Sequence, residues 1–115
     1  MAKTMVPVTI IDGERKLTHS GIPYVNLQLK DAWGEDLWTF IAIHPTHQSY
    51  WRRVLGSLLN EYEWLALSLA TRQFDPDECF FFAEEIVPHL VGKSTVVAVV
   101  NSIFGHQFRR VVEWV

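Results

Sequence analysis

The chain has 115 residues, 49% of them hydrophobic and 20% charged, which is enough to bury one core and too apolar for a disordered chain. A formal charge of −3 argues against a protein held to duplex DNA by bulk positive charge. It leaves room for a local basic groove, because phosphates respond to nearby lysine and arginine rather than to the global sum.

The opening residues, MAKTMVPVTI, lack the long apolar run and small-residue cleavage site of a secretory signal. No apolar stretch is long enough to span a bilayer, so no membrane association is expected and the expected location is cytoplasmic. Residues 6–12, VPVTIID, are β-branched and apolar and predict a first strand, with Pro7 suited to its edge. GERKLTHSG, from Gly13 to Gly21, predicts either a hairpin loop or a continuation of that strand. Residues 23–30 alternate: Val25, Leu27 and Leu29 point one way, and Tyr24, Asn26, Gln28 and Lys30 the other. A turn around Gly34 leads to a third strand over residues 37–43. There Leu37, Thr39, Ile41 and Ile43 face inward and Trp38, Phe40 and Ala42 face outward. An aromatic pair on a second face needs a cover, from the protein or from a ligand.

His44-Pro45 ends this strand, and Thr46 is the expected cap of a helix. Tyr50, Trp51, Val54, Leu55, Leu58, Leu59, Tyr62, Leu65, Ala66 and Leu69 recur at helical spacing and predict one apolar face. Trp64 and Leu67 fall on the other side, which predicts a break near Gly56 or Asn60 ahead of the alternative that this side meets a partner. Asp75-Pro76-Asp77-Glu78 starts another helix, carrying Phe80, Phe81 and Phe82 and stopping before Pro88. Strands over 93–101 and 107–115, joined by a turn at Phe104-Gly105-His106, complete the chain. The prediction is one domain over 1–115, mainly β, with a helical insertion at about 46–88. The β-β-β-α(α)-β-β order is that of a five-stranded OB-type barrel, an architecture that commonly binds single strands.

Catalytic and metal motifs fit poorly. Gly92-Lys93-Ser94-Thr95 imitates the end of a P-loop, but Val87 stands where that motif needs glycine, and a β-branched strand follows where it needs a helix. His44 and His47 lack a third zinc ligand nearby, and the Asp75, Asp77, Glu78 cluster lacks calcium-loop spacing. Glu84 and Glu85 are adjacent on a helix and diverge. Cys79, the single cysteine, cannot close an intramolecular disulfide, which fits a reducing compartment, and reads as a small core residue. The expectation is a protein without catalysis, cofactor or metal.

Gripping an unpaired strand needs rings to stack on bases and cations to track phosphates. Tyr24, Asn26, Gln28 and Lys30 of the second strand, with Trp38 and Phe40 of the third, offer a platform. Arg15, Lys16 and His19 come from the segment before it, and Phe104, His106, Arg109 and Arg110 from the final hairpin. In an OB barrel these places converge on one groove. Arg109 and Arg110 point to opposite sides of a strand, so Arg109 alone is taken with Phe104 as a contact. The plainer alternative packs Trp38 and Phe40 beneath the helix and leaves the charges as a solvated rim.

SGIPYVNLQL, the helical YWRRVLGSLL and LVGKSTVVAVVNSIFGHQFRRVVEW give most of the chain a resemblance to a family of small phage proteins found in replication and recombination clusters. Those proteins are similar to single-stranded-DNA-binding OB-fold proteins. The resemblance implies an accessory of phage DNA replication or recombination that coats single-stranded DNA in the host cytoplasm and self-associates as a homo-oligomer. Phage or host replication and recombination proteins are its further implied partners. Two departures stand out. Asn60 to His89 is more hydrophobic and helical than the pattern, and the chain closes on an apolar strand, so recruitment through an acidic tail is not expected. The rival expectation is a phage-encoded protein-interaction module that inhibits or recruits a host enzyme, favoured by the acidic balance and by Trp64 and Leu67.

Overall fold

The computed structural model describes residues 3–69, 72–101 and 109–114. Strands β1 (Thr4–Leu17), β2 (Pro23–Asp31) and β3 (Asp36–Ala42) come first, then a 3-10 turn at Pro45–His47. Helices α1 (Gln48–Leu58), α2 (Glu61–Ala66) and α3 (Pro76–Leu90) follow, and β4 (Ser94–Asn101) and β5 (Arg109–Trp114) end the order. The architecture is mainly β, with one antiparallel sheet ordered β3-β2-β1-β4-β5. The sheet curls until β5 lies against β3, although no ladder joins those two strands among the described residues. The result is a half-barrel.

β1 is the strand that makes the curl possible. Its first part pairs with β4 from Thr4 to Thr9, and its second with β2 from Val8 to Leu17. The register slips between Ile10 and Asp12, and such a bulge bends a strand and increases its twist. The segment from Gly13 is therefore strand as far as Leu17. A tight turn then closes with the Thr18 amide donating to the Ile22 carbonyl at 2.9 Å, and Gly21 takes a φ of +81° that a side chain would resist.

One apolar cluster fills the concave side. Val6, Val8, Ile10, Val25, Leu27, Leu29, Leu37, Ile41 and Val97 come from the sheet, and Trp51, Leu55, Phe82, Ile86 and Leu90 from the helices. The Trp51 indole donates to the His44 carbonyl at 3.0 Å and packs against Phe74 and Phe82, so the core's largest side chain carries no unmet polar group. α3 lies across β1 and β2. At Gly13 an added Cβ would stand 3.0 Å from Leu27 Cδ2 and 3.3 Å from Val87 Cγ1, so this glycine lets helix and strand approach closely.

The helical segment departs from the pattern expected of it in three places. Thr46 does not cap α1; it lies inside the 3-10 turn, whose first free amide is taken by the His44 ring at 3.2 Å. The break falls at Asn60, one of the two places expected, where a reciprocal capping box with Glu63 starts α2, but its consequence for the face that follows is not the expected one. That restart resets the helical phase, so Tyr62, Leu65 and Ala66 are exposed and Leu67 is buried, the reverse of one continuous face. Trp64 folds back on α1 with its ring 3.5 Å from a Cβ built on Gly56, so Gly56 seats the indole rather than breaking the helix. Finally, α3 runs through Pro88 to Leu90. A proline in the last turn forfeits one helical hydrogen bond, and the extra turn buries Leu90 completely, which offsets part of the loss.

Candidate nucleic-acid interface

The convex face of β1, β2 and β3 carries the candidate site, and strand pairing sets its geometry. Reading across the sheet, outward residues align in rows: Lys16, Tyr24 and Ala42; then Glu14, Asn26 and Phe40; then Asp12, Gln28 and Trp38; then Thr9, Lys30 and Asp36. Successive rows on one face of a sheet lie about 6.8 Å apart, twice the rise per residue. Three consecutive rows each contribute one ring. Trp38 is 57% exposed and Phe40 62%, while Tyr24 is half-buried. Neither Trp38 nor Phe40 packs beneath a helix. Tyr24 and Phe40 meet edge to face, with ring centroids 5.9 Å apart.

The β2–β3 turn holds this alignment. The Asp31 carboxylate, only 6% exposed, accepts from the Trp33 and Glu35 amides at 2.9 Å each. Gly34 supplies the positive φ of +81° that the turn requires. At the other end of the rows, Leu17, Thr18 and His19 rise beside Tyr24, Asn26, Phe40 and Ala42 to enclose a cleft of about 510 Å³. Phe40 and Ala42 also border a second depression of about 390 Å³ at the β3–β5 seam, shared with Tyr50 and Trp114. Phe40 thus stands on the ridge between two hollows.

Positive charge on this face is sparse. Lys16 is exposed and makes no ion pair among the described residues. Lys30 Nζ lies 3.8 Å from Asp36 Oδ1. Arg15 is not on the face at all. It pairs with inward-facing Val25, donates to Glu84 at 2.8 Å and covers the Phe80 ring at 4.0 Å, because alternation turns it toward α3. Asp12 and Glu14 share the convex rows with the rings; the extension of β1 past Gly13 puts them there, and alternation would have found them had that extension been assumed. Phe104 and His106 lie outside the described residues. Arg109 opens β5 opposite Asn101, and its side chain, like that of Arg110, lies outside what is described.

Several of the remaining chemistry-bearing groups have structural partners. Lys93, the lysine of the P-loop-like run, is ion-paired with Glu63. The Gly92 amide donates to the Ile10 carbonyl at 2.7 Å and the Lys93 amide to Leu90 at 3.1 Å, so neither amide is presented to a phosphate. His44 Nδ1 meets the Thr46 hydroxyl at 2.7 Å. Glu84 is engaged by Arg15, and Glu85 by Arg72 at 2.9 Å. Burial pushes the Cys79 thiol up to about 11, with Asp75 and Glu78 adding to the shift. No helix among the described residues is long and apolar enough to cross a membrane. No protein-family model matches this sequence, and neither does any curated protein sequence.

Proposed function

We propose that the convex face of β2 and β3 binds single-stranded DNA without catalysis, as an accessory of phage replication or recombination, and that the curled sheet is an OB-type barrel left open at the β3–β5 seam. The observation that carries this reading is the ladder of Trp38, Phe40 and Tyr24 on successive rows, with Trp38 and Phe40 open to solvent. Rows about 6.8 Å apart are spaced at twice the 3.4 Å rise per base of a stacked strand, so bases on neighbouring rows cannot stack on one another. A drawn-out single strand meets that spacing, and a duplex does not. The cleft formed by the β1–β2 turn at one end of the ladder is the place where an OB barrel takes its ligand.

Stacking therefore supplies most of the affinity. Each ring contributes about 1–3 kcal/mol, whereas Lys16 and Lys30 together give a salt slope of only about −1.4 on logarithmic axes. Anisotropy of a labelled oligothymidine tests this. Wild-type protein binds at micromolar concentration or tighter, and Trp38→Ala or Phe40→Ala weakens binding by about 5- to 150-fold with an unchanged melting curve. Absence of binding by the wild type, or full binding by both variants, overturns the proposal.

A second reading is favoured by Asp12 and Glu14, whose carboxylates stand in the same rows as the rings. An apolar platform edged by carboxylates also suits a protein partner with a basic rim. Capture of one protein from nuclease-treated host lysate, lost in Phe40→Ala, selects this reading when oligonucleotide binding is absent.

A further inference from the structure

We propose that Asn26 and Gln28 read the edges of bases seated on Phe40 and Trp38, giving the face a base preference that stacking alone would lack. This inference rests on the single-strand reading above. Asn26 stands directly across the ladder from Phe40, and Gln28 directly across from Trp38. Paired residues on adjacent strands have Cβ atoms about 4.5–5.5 Å apart, close enough for a base lying on one side chain to present its edge to the other. Each row thus sets a flat ring beside an amide.

The amides are available for this task. Both are half-buried, and neither side chain hydrogen-bonds another group among the described residues. A carboxamide offers one acceptor and two donors in a plane, which matches the adjacent donor and acceptor on a base edge and pairs in bidentate fashion with adenine N6 and N7. In each of these two rows the amide on β2 lies between a ring on β3 and a carboxylate on β1, with Glu14 beside Asn26 and Asp12 beside Gln28. A ring without such a neighbour is indifferent to which base it holds, because every base has a π-face. Adenine is the base these two rows suit best.

The experiment compares labelled homopolymers of adenine, thymine and cytosine against wild type, Asn26→Ala, Gln28→Ala, the double variant and Lys16→Ala. Wild type favours the adenine strand, each single variant reduces the adenine-to-thymine affinity ratio, and the double variant brings it to near unity while still binding. Lys16→Ala weakens all three strands by the same factor, since a phosphate contact carries no base information. Binding that persists with an unchanged ratio in the double variant overturns the amide assignment and leaves the single-strand reading standing. Equal wild-type affinity for the three strands does the same. Failure of the wild type to bind any strand overturns both. Circular dichroism of the double variant, which retains the wild-type spectrum, separates lost recognition from lost fold.

Discussion

Replacing Glu63 by glutamine isolates a single charge that ties the helical segment to the sheet. Glu63 closes the capping box with Asn60, its Oε1 accepting from the Asn60 amide at 3.0 Å, and the same carboxylate meets Lys93 at the head of β4 and His89 on α3 at 3.7 Å. The Asn60 amide, the Lys93 ammonium and His89 together hold its carboxyl below the ordinary glutamate range, against an opposing contribution from burial. Glutamine retains the capping acceptor and removes only the charge. The Lys93 and Glu63 side chains are 26% and 19% exposed, between a surface pair and a buried one, so the loss is about 1–2 kcal/mol at pH 7. In a chain of this size that lowers the melting temperature by about 4–8 °C. Because the folded carboxyl titrates below its unfolded value of 4.5, the stabilisation is fully present above that pH and is lost as pH falls through the folded value. Urea melts of wild type and Glu63→Gln therefore differ at pH 7 and converge as pH falls below about 5. A double-mutant cycle with Lys93→Met gives a coupling near 1 kcal/mol. A gap that stays constant into acid, or a coupling below about 0.3 kcal/mol, refutes the charge-based account.

Asp31→Ala releases the two amides that its carboxylate clamps, Trp33 and Glu35, and costs about 2 kcal/mol by denaturant melt, while Asp31→Asn, which keeps an acceptor, loses about half as much. Equal losses in the two variants would show that charge and not the turn geometry matters. Cys79, with its thiol pushed up to about 11 inside the core, resists labelling by a thiol reagent at pH 8 in native buffer and reacts at once in denaturant. Rapid native labelling would show that α3 opens locally.

Period-two alternation made β2 and β3 legible, because a strand buried on one face has to place apolar residues at every second position. It located Tyr24, Asn26, Gln28, Trp38 and Phe40 on the outward side without any knowledge of partners. Glycine marked the turn through Gly34, where a positive φ leaves little choice of residue. β1 was harder. Its polar second half, GERKL, carries no apolar alternation, and it is a strand because β2 offers it a full ladder and α3 packs over Gly13. That pairing turned Arg15 toward Glu84 and brought Asp12 and Glu14 beside the rings, a charge balance no local pattern contains. The helices show the same limit: periodicity sums over a continuous helix, and one capping box at Asn60 rotates everything after it. Local sequence therefore determined which residues lie on a common face of each strand, since that depends only on backbone geometry. Which faces meet, and which charges neutralise one another across them, was decided by tertiary contacts between residues as far apart in the chain as Arg15 and Glu84.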